Sequence, residues 1–120
     1  MSPKFSPGNN IAMKVPIHEF DATIEFYRDI LGFKQIDVNS TNENEAVIFK
    51  FGDKNLWIDK MAGISQAEIW LEVITDNIET ASKYFEEKQC IKRDDIEPLP
   101  PGFKGFWLSN PSNIIHLINE

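Results

Sequence analysis

Moving the sequence along itself by 58 residues brings Ile11 onto Ile69, Val15 onto Val73, Phe20 onto Ile78, Tyr27 onto Phe85, Lys34 onto Lys92 and Leu56 onto Ile114. Few residues are identical, but the apolar patterns recur in the same order. Ile11, Met13, Val15 and Ile17 alternate as on one face of a strand. Phe20, Ile24, Tyr27 and Leu31 then follow helical spacing, with Gly32 placed to stop the helix. Strand-like runs follow at 33–40, 45–51 and 55–61, separated by Thr41–Asn44 and Gly52–Lys54 as turns. The second copy opens with Ile69, Leu71 and Val73 in alternation. Asp76 is its candidate helix N-cap, with Glu79 three residues on. Ile78, Ala81 and Phe85 form the helix face, and strands are expected at 91–96, 103–110 and 114–119. A shift that needs no insertion predicts one βαβββ module written twice.

One helix cannot enclose both faces of such a sheet. The expected fold is therefore α+β: two modules, about 11–61 and 67–120, forming a curved eight-stranded mixed sheet with helices on the convex side. The concave face is the default binding site. Residues 1–10, rich in Pro, Ser, Gly and Asn, read as a flexible arm on a single domain.

Composition narrows the partners. With 120 residues, 42% of them hydrophobic, the chain has material for one core. A net charge of −7, with no basic cluster, argues against nucleic acid and anionic membranes and allows a cationic ligand. One cysteine, Cys90, excludes an intramolecular disulfide. No apolar run approaches a membrane span, so a cytoplasmic protein is expected. Neither a Ser/His/Asp order, a phosphate loop nor an HExxH motif is present.

Phe20–Phe33, with its Phe26-Tyr27 and Leu31-Gly32-Phe33, resembles the first helix of the vicinal oxygen chelate superfamily: glyoxalase I, extradiol dioxygenases, fosfomycin-resistance enzymes and bleomycin-resistance proteins. Asn110–Ile118 is similar to the family's terminal turn and strand, with Asn110 for an Asp and without its Gly; Pro98–Gly105 falls where the family has a loop before a strand. The resemblance spans about residues 10–119. It implies metal ligands from the first and last strand of each module, at Ala12, Ile58, Trp70 and His116. Only His116 has a donor suited to a metal, whereas a site wants at least three, so no metal and no cofactor are expected.

His116 is then a pocket-wall residue with a hydrogen-bonding role, a structural histidine, or a ligand of a shifted metal site that Glu68 or Glu72 approaches. Lys14 and Glu72 superpose under the shift and form either a ligand grip or a structural ion pair. Trp70 either stacks on a planar or cationic ligand or plugs the space of a metal. Trp57 is expected in the core by parity, Trp107 is ambiguous, His18 and Glu19 are solvated, and Cys90 is half-buried.

The expected function is small-molecule binding, as in metal-free bleomycin-resistance-like members. The ligand is a small organic molecule, aromatic or cationic, with a pocket of Ala12, Lys14, Ile58, Trp70, Glu72 and His116. The alternative is a divergent lyase, isomerase or dioxygenase of the same superfamily, with a relocated metal or a metal-free acid–base site using His116 as its catalytic residue. The resemblance also implies a homodimer.

Overall fold

The computed structural model describes residues 2–36 and 46–120. Its elements run β1 (Phe5–Pro16), α1 (Phe20–Glu25), β2 (Gln35–Ile36), β3 (Ala46–Phe51), β4 (Lys54–Met61), β5 (Glu68–Thr75), α2 (Ile78–Glu87), β6 (Ile91–Lys92), β7 (Gly105–Ser109) and β8 (Ile115–Asn119). The order βαβββ therefore occurs twice, in an α+β fold of eight strands. The chain divides into an N-terminal module, Asn9–Ile69, and a C-terminal module, Trp70–Glu120 joined by the first eight residues. The modules order their strands β2-β3-β4-β1 and β5-β8-β7-β6, respectively. Each array is mixed, its first strand parallel to its last and the other pairs antiparallel.

The arm expected at residues 1–10 is instead largely strand. The Phe5 ring lies 5.2 Å from Phe85 and 5.9 Å from Tyr84. The backbone of Lys4 donates to the Asp76 carboxylate, 3.0 Å, and accepts from the Asp76 N–H. An aromatic anchor outweighs the loop-like composition around it. The Asp76 side chain is thereby not the helix cap; Asn77 caps α2 by accepting from Thr80 N, 2.9 Å.

The first helix is α-helical only to Glu25. Phe26–Ile30 is a π turn, closed by Leu31 N donating to Phe26 O, and Gly32 ends it at φ +71°. Two strands are shorter than their apolar runs suggested, 91–92 for 91–96 and 105–109 for 103–110; of the run expected at 33–40, strand begins at Gln35, and the part beyond Ile36 lies outside the described residues. The Thr41–Asn44 turn lies outside the described residues. Ile17, expected on the β1 face, is exposed in a single 3-10 turn after the strand.

Register shows how far the 58-residue shift holds. Met13 pairs with Ile58 on β1 and β4, and Leu71 pairs with His116 on β5 and β8, the same register shifted by 58. The hairpins differ. Ser109 and Ile115 close the β7–β8 ladder around five residues, whereas the β3–β4 ladder continues to Phe51 and Lys54 and turns on Gly52 and Asp53. Ser109 therefore corresponds to Ile48, an offset of 61, and Ile91 to Ile36, an offset of 55. The insertion-free shift thus breaks at the antiparallel strands, where loops absorb length changes cheaply.

Each helix covers one face of its own strands. In the N-terminal module Val15, Phe49, Leu56 and Ile58 pack with Phe20 and Ile24. In the C-terminal module Phe106, Leu108 and Ile118 pack with Val73, Ile78 and Phe85. Strand alternation then assigns every remaining side chain to the helix side or to the opposite face.

Candidate functional site: the faces turned away from the helices

In the N-terminal module the face away from α1 carries Asn10, Ala12 and Lys14 from β1. Their register partners on β4 are Asn55, Trp57 and Asp59. Lys14 is 5% exposed, and its Nζ lies 2.8 Å from Asp59 Oδ2. Four residues before Lys14, Asn10 Oδ1 accepts from the Trp57 indole Nε1–H at 2.8 Å and from Asn55 Nδ2 at 3.2 Å. The hydrogen bond to Asn10, whose amide oxygen is also held by Asn55, orients the Trp57 ring. The half-buried indole, a fixed amide and a buried ion pair thus lie side by side, over Ile48 from β3.

This reverses two expectations. Ile58, expected toward the pocket, is 0% exposed in the helix-side core, and Trp57, expected in the core, faces away from it. The apolar run Leu56-Trp57-Ile58 has no polar residue to mark its phase, so parity carried over from a motif slipped by one. A slip of one residue moves every side chain of a strand to the other face.

The same slip applies to His116. Ile118 is in the helix-side core, so His116, two residues earlier on β8, lies on that side too, paired with Leu71 and Leu108. It is half-buried, and Nδ1 sits 3.0 Å from Ile114 O.

The opposite face of the C-terminal module is mostly aromatic. Trp70, 4% exposed, meets Trp107, 6% exposed, edge to face at 5.1 Å. Trp107 pairs with Leu117 in register, which resolves its side. Glu72 is on this face as well and accepts from Asn119 Nδ2 at 3.0 Å. It packs over Gly8, where an added Cβ would fall 2.3 Å from Glu72 Oε1. Lys14 and Glu72, superposable in sequence, thus have Asp59 and Asn119 as neighbours within their own modules. Cys90, expected half-buried, is exposed; His18 and Glu19 are solvated as expected.

The chain is similar to several solved structures. A hypothetical protein from Bacillus halodurans C-125 matches over 98% of this chain and 94% of its own, at 14% identity and TM-score 0.62. A glyoxalase/bleomycin resistance protein/dioxygenase superfamily member from Vibrio splendidus 12B01 matches over 90% and 95%, at 15% identity and TM-score 0.56. The chain adopts the vicinal oxygen chelate fold. Homoprotocatechuate 2,3-dioxygenase from Arthrobacter globiformis also shares it, at 17% identity and TM-score 0.63, but the match of 98% of this chain spans only 37% of that enzyme. No protein-family model and no curated protein matches the sequence.

The vicinal oxygen chelate fold implies a divalent metal in its enzymes, and the donor chemistry here does not fit one. Correcting the last-strand phase by one residue does not rescue a set. Asp59 is the only carboxylate on β1, β3 or β4 of the N-terminal module, and a lysine ammonium already sits against it. In the C-terminal module β8 offers Leu117 and Asn119 on that face. Among the described residues no three His, Cys, Asp or Glu side chains cluster as a metal site would need. Trp57, Asp59 and Asn10 were missed in the sequence. The signal available was the alternation of β4 read from Asp59, whose charge belongs opposite the core.

Proposed function

We propose that the protein binds a small planar organic molecule on the faces turned away from its helices, without a metal, in the manner of sequestering members of its fold. The observation that carries this is the Trp57 indole, oriented by Asn10 beside the buried Lys14–Asp59 pair. A preoriented ring offers a stacking surface at little ordering cost, and an ion pair alongside it offers a donor and an acceptor to polar substituents. Ala12, between them on β1, leaves room against the ring. Trp70 and Glu72 extend the same chemistry in the C-terminal module, where the indole pair supports apolar contact. Ile58 and His116 take no part in this reading.

The test is a thermal-shift screen of planar organic molecules, with affinity of any hit measured by calorimetry. Trp57→Ala is expected to weaken binding by about 0.5–2 kcal/mol, the range for stacking and cation–π contacts. Hits whose affinity is indifferent to Trp57→Ala and Trp70→Ala alike count against the reading. So does one equivalent of Zn, Mn, Fe or Ni retained through gel filtration of protein prepared without chelator. Homodimerisation belongs to the same proposal, and sedimentation at tens of micromolar giving a 13.8 kDa species would remove it.

A further inference from the structure

The first part of the segment between β6 and β7 is hydrogen-bonded to one residue, Trp107, through both its backbone and its indole. Arg93 N donates to Trp107 O at 2.8 Å, Trp107 N donates to Asp94 Oδ1 at 3.3 Å, and the Trp107 indole Nε1–H donates to Glu97 O at 2.9 Å. Beyond Glu97 the pattern stops. Among the described residues, Pro98, Leu99, Pro100, Pro101 and Gly102 show no hydrogen bond beyond the local turn from Phe103 N to Pro100 O. Three of these five residues are prolines with no N–H to give, so the stretch cannot join a ladder, and their fixed φ makes it stiff. At its far end the Phe103 ring lies over Gly105, where a Cβ would be 2.6 Å from Cε1, and Lys104 O accepts from Glu120 N. The segment is a stiff span with a fixed end at β7 and a hydrogen-bonded end at the Trp107 indole.

We propose that residues 96–104 are a strap over Trp107, latched by the indole N–H to Glu97 and by Asp94, whose opening admits a planar ligand to the Trp107–Trp70 ring pair. This rests on reading the helix-free faces as binding faces. The latch is a side chain of the site itself. A ligand that engages the Trp107 ring edge competes with the Glu97 carbonyl for one N–H, so binding and opening are coupled. The indole–carbonyl bond contributes about one net hydrogen bond to that closure, which a ligand acceptor at the same N–H can replace.

Limited proteolysis and quenching test this without any ligand. Trp107→Phe keeps a ring and removes the N–H. Chymotryptic cleavage after the half-exposed Phe103 is expected to speed up about fivefold, the factor one net hydrogen bond supplies. Tryptic cleavage at Lys60 and Lys83 should stay at the wild-type rate. Asp94→Ala alters an exposed loop side chain and retains all three tryptophans. It is expected to raise acrylamide quenching of tryptophan fluorescence, with the thermal midpoint nearly unchanged. If Trp107→Phe does not fold, Asp94→Ala carries the test alone. Unchanged quenching in Asp94→Ala overturns the proposal. So does cleavage that rises equally at all sites, which would mean general loosening. If the strap opens as described and no planar molecule binds, the proposed function fails and the strap stands.

Discussion

The β1–β4 pair and the β5–β8 pair have the same parallel register, yet they have been filled oppositely. Ile58 and His116 occupy equivalent places, both on the helix side. Ile58 is sealed under Phe20, Ile24 and Phe49. His116 is half-buried, its Nδ1 beside a backbone carbonyl and its strand neighbour Leu71 36% exposed. The faces away from the helices differ too: the N-terminal module places an ion pair and an amide-bound indole there, and the C-terminal module two indoles in edge contact and a leucine beside the Glu72–Asn119 pair. The helices differ in the same sense. α2 is a regular, capped ten-residue helix, whereas α1 passes into a π turn that leaves Phe26, Ile30 and Leu31 exposed. Backbone register is set by the ladder of hydrogen bonds and survives divergence; what each position contributes to stability or to a site depends on which side chains face it.

The largest expected effect tests the aromatic face. Trp70→Ala should cost about 3–5 kcal/mol by urea denaturation, since a nearly inaccessible indole leaves a cavity against Trp107. Trp57→Ala, half-buried, should cost clearly less. Equal losses would mean that the two faces are packed alike after all.

Next come the equivalent positions. Ile58→Ala is expected to lose about 2–5 kcal/mol, and His116→Ala under about 1 kcal/mol, as for a half-buried residue whose one polar contact is to its own strand. A histidine variant as costly as the isoleucine one would show that His116 is a true core group.

The ion pair sits lower. Lys14→Met should cost about 2 kcal/mol by leaving the Asp59 carboxylate, 18% exposed, without the ammonium. Adding Asp59→Leu should recover most of that loss in the same denaturation assay. Failure to recover would mean that the pair itself contributes little and Lys14 acts through other contacts.

Gly8→Ala ranks last, at about 1–2 kcal/mol. The new methyl displaces the Glu72 side chain and with it the bond from Asn119. In a Glu72→Ala background the same glycine change should be nearly silent, and a double-mutant cycle measures that coupling.

Some of the chain could be read without coordinates. Alternation at Ile11, Met13 and Val15, helical spacing at Phe20 and Ile24, and recurrence at 58 residues are local or periodic signals, so element order and the two-module plan followed from them. Gly32 was legible as a stop because a left-handed residue ends a helix most cheaply at glycine. Short range is also where the reading failed: Pro3, Pro7, Gly8 and Asn9 look like a loop, but Phe5 docks on Tyr84 and Phe85, some eighty residues away.

The candidate site was legible only in its residue types. That Ala12 and Trp70 offer no metal donor at the first-strand positions the resemblance implies was readable whatever the phase of the last strands. Which face Trp57, Ile58, Trp107 and His116 occupy did not follow. Uniformly apolar runs have no preferred phase in a period-two pattern, so pairing partners decide it. The sequence by itself determined two βαβββ modules, an acidic chain and an apolar last strand carrying one histidine. The tertiary structure alone decided that β4 turns Ile58 inward and Trp57 outward, because the parallel ladder sets Ala12 beside Trp57 and Lys14 beside Asp59, and neither a charge pair nor an indole N–H can be buried without its partner.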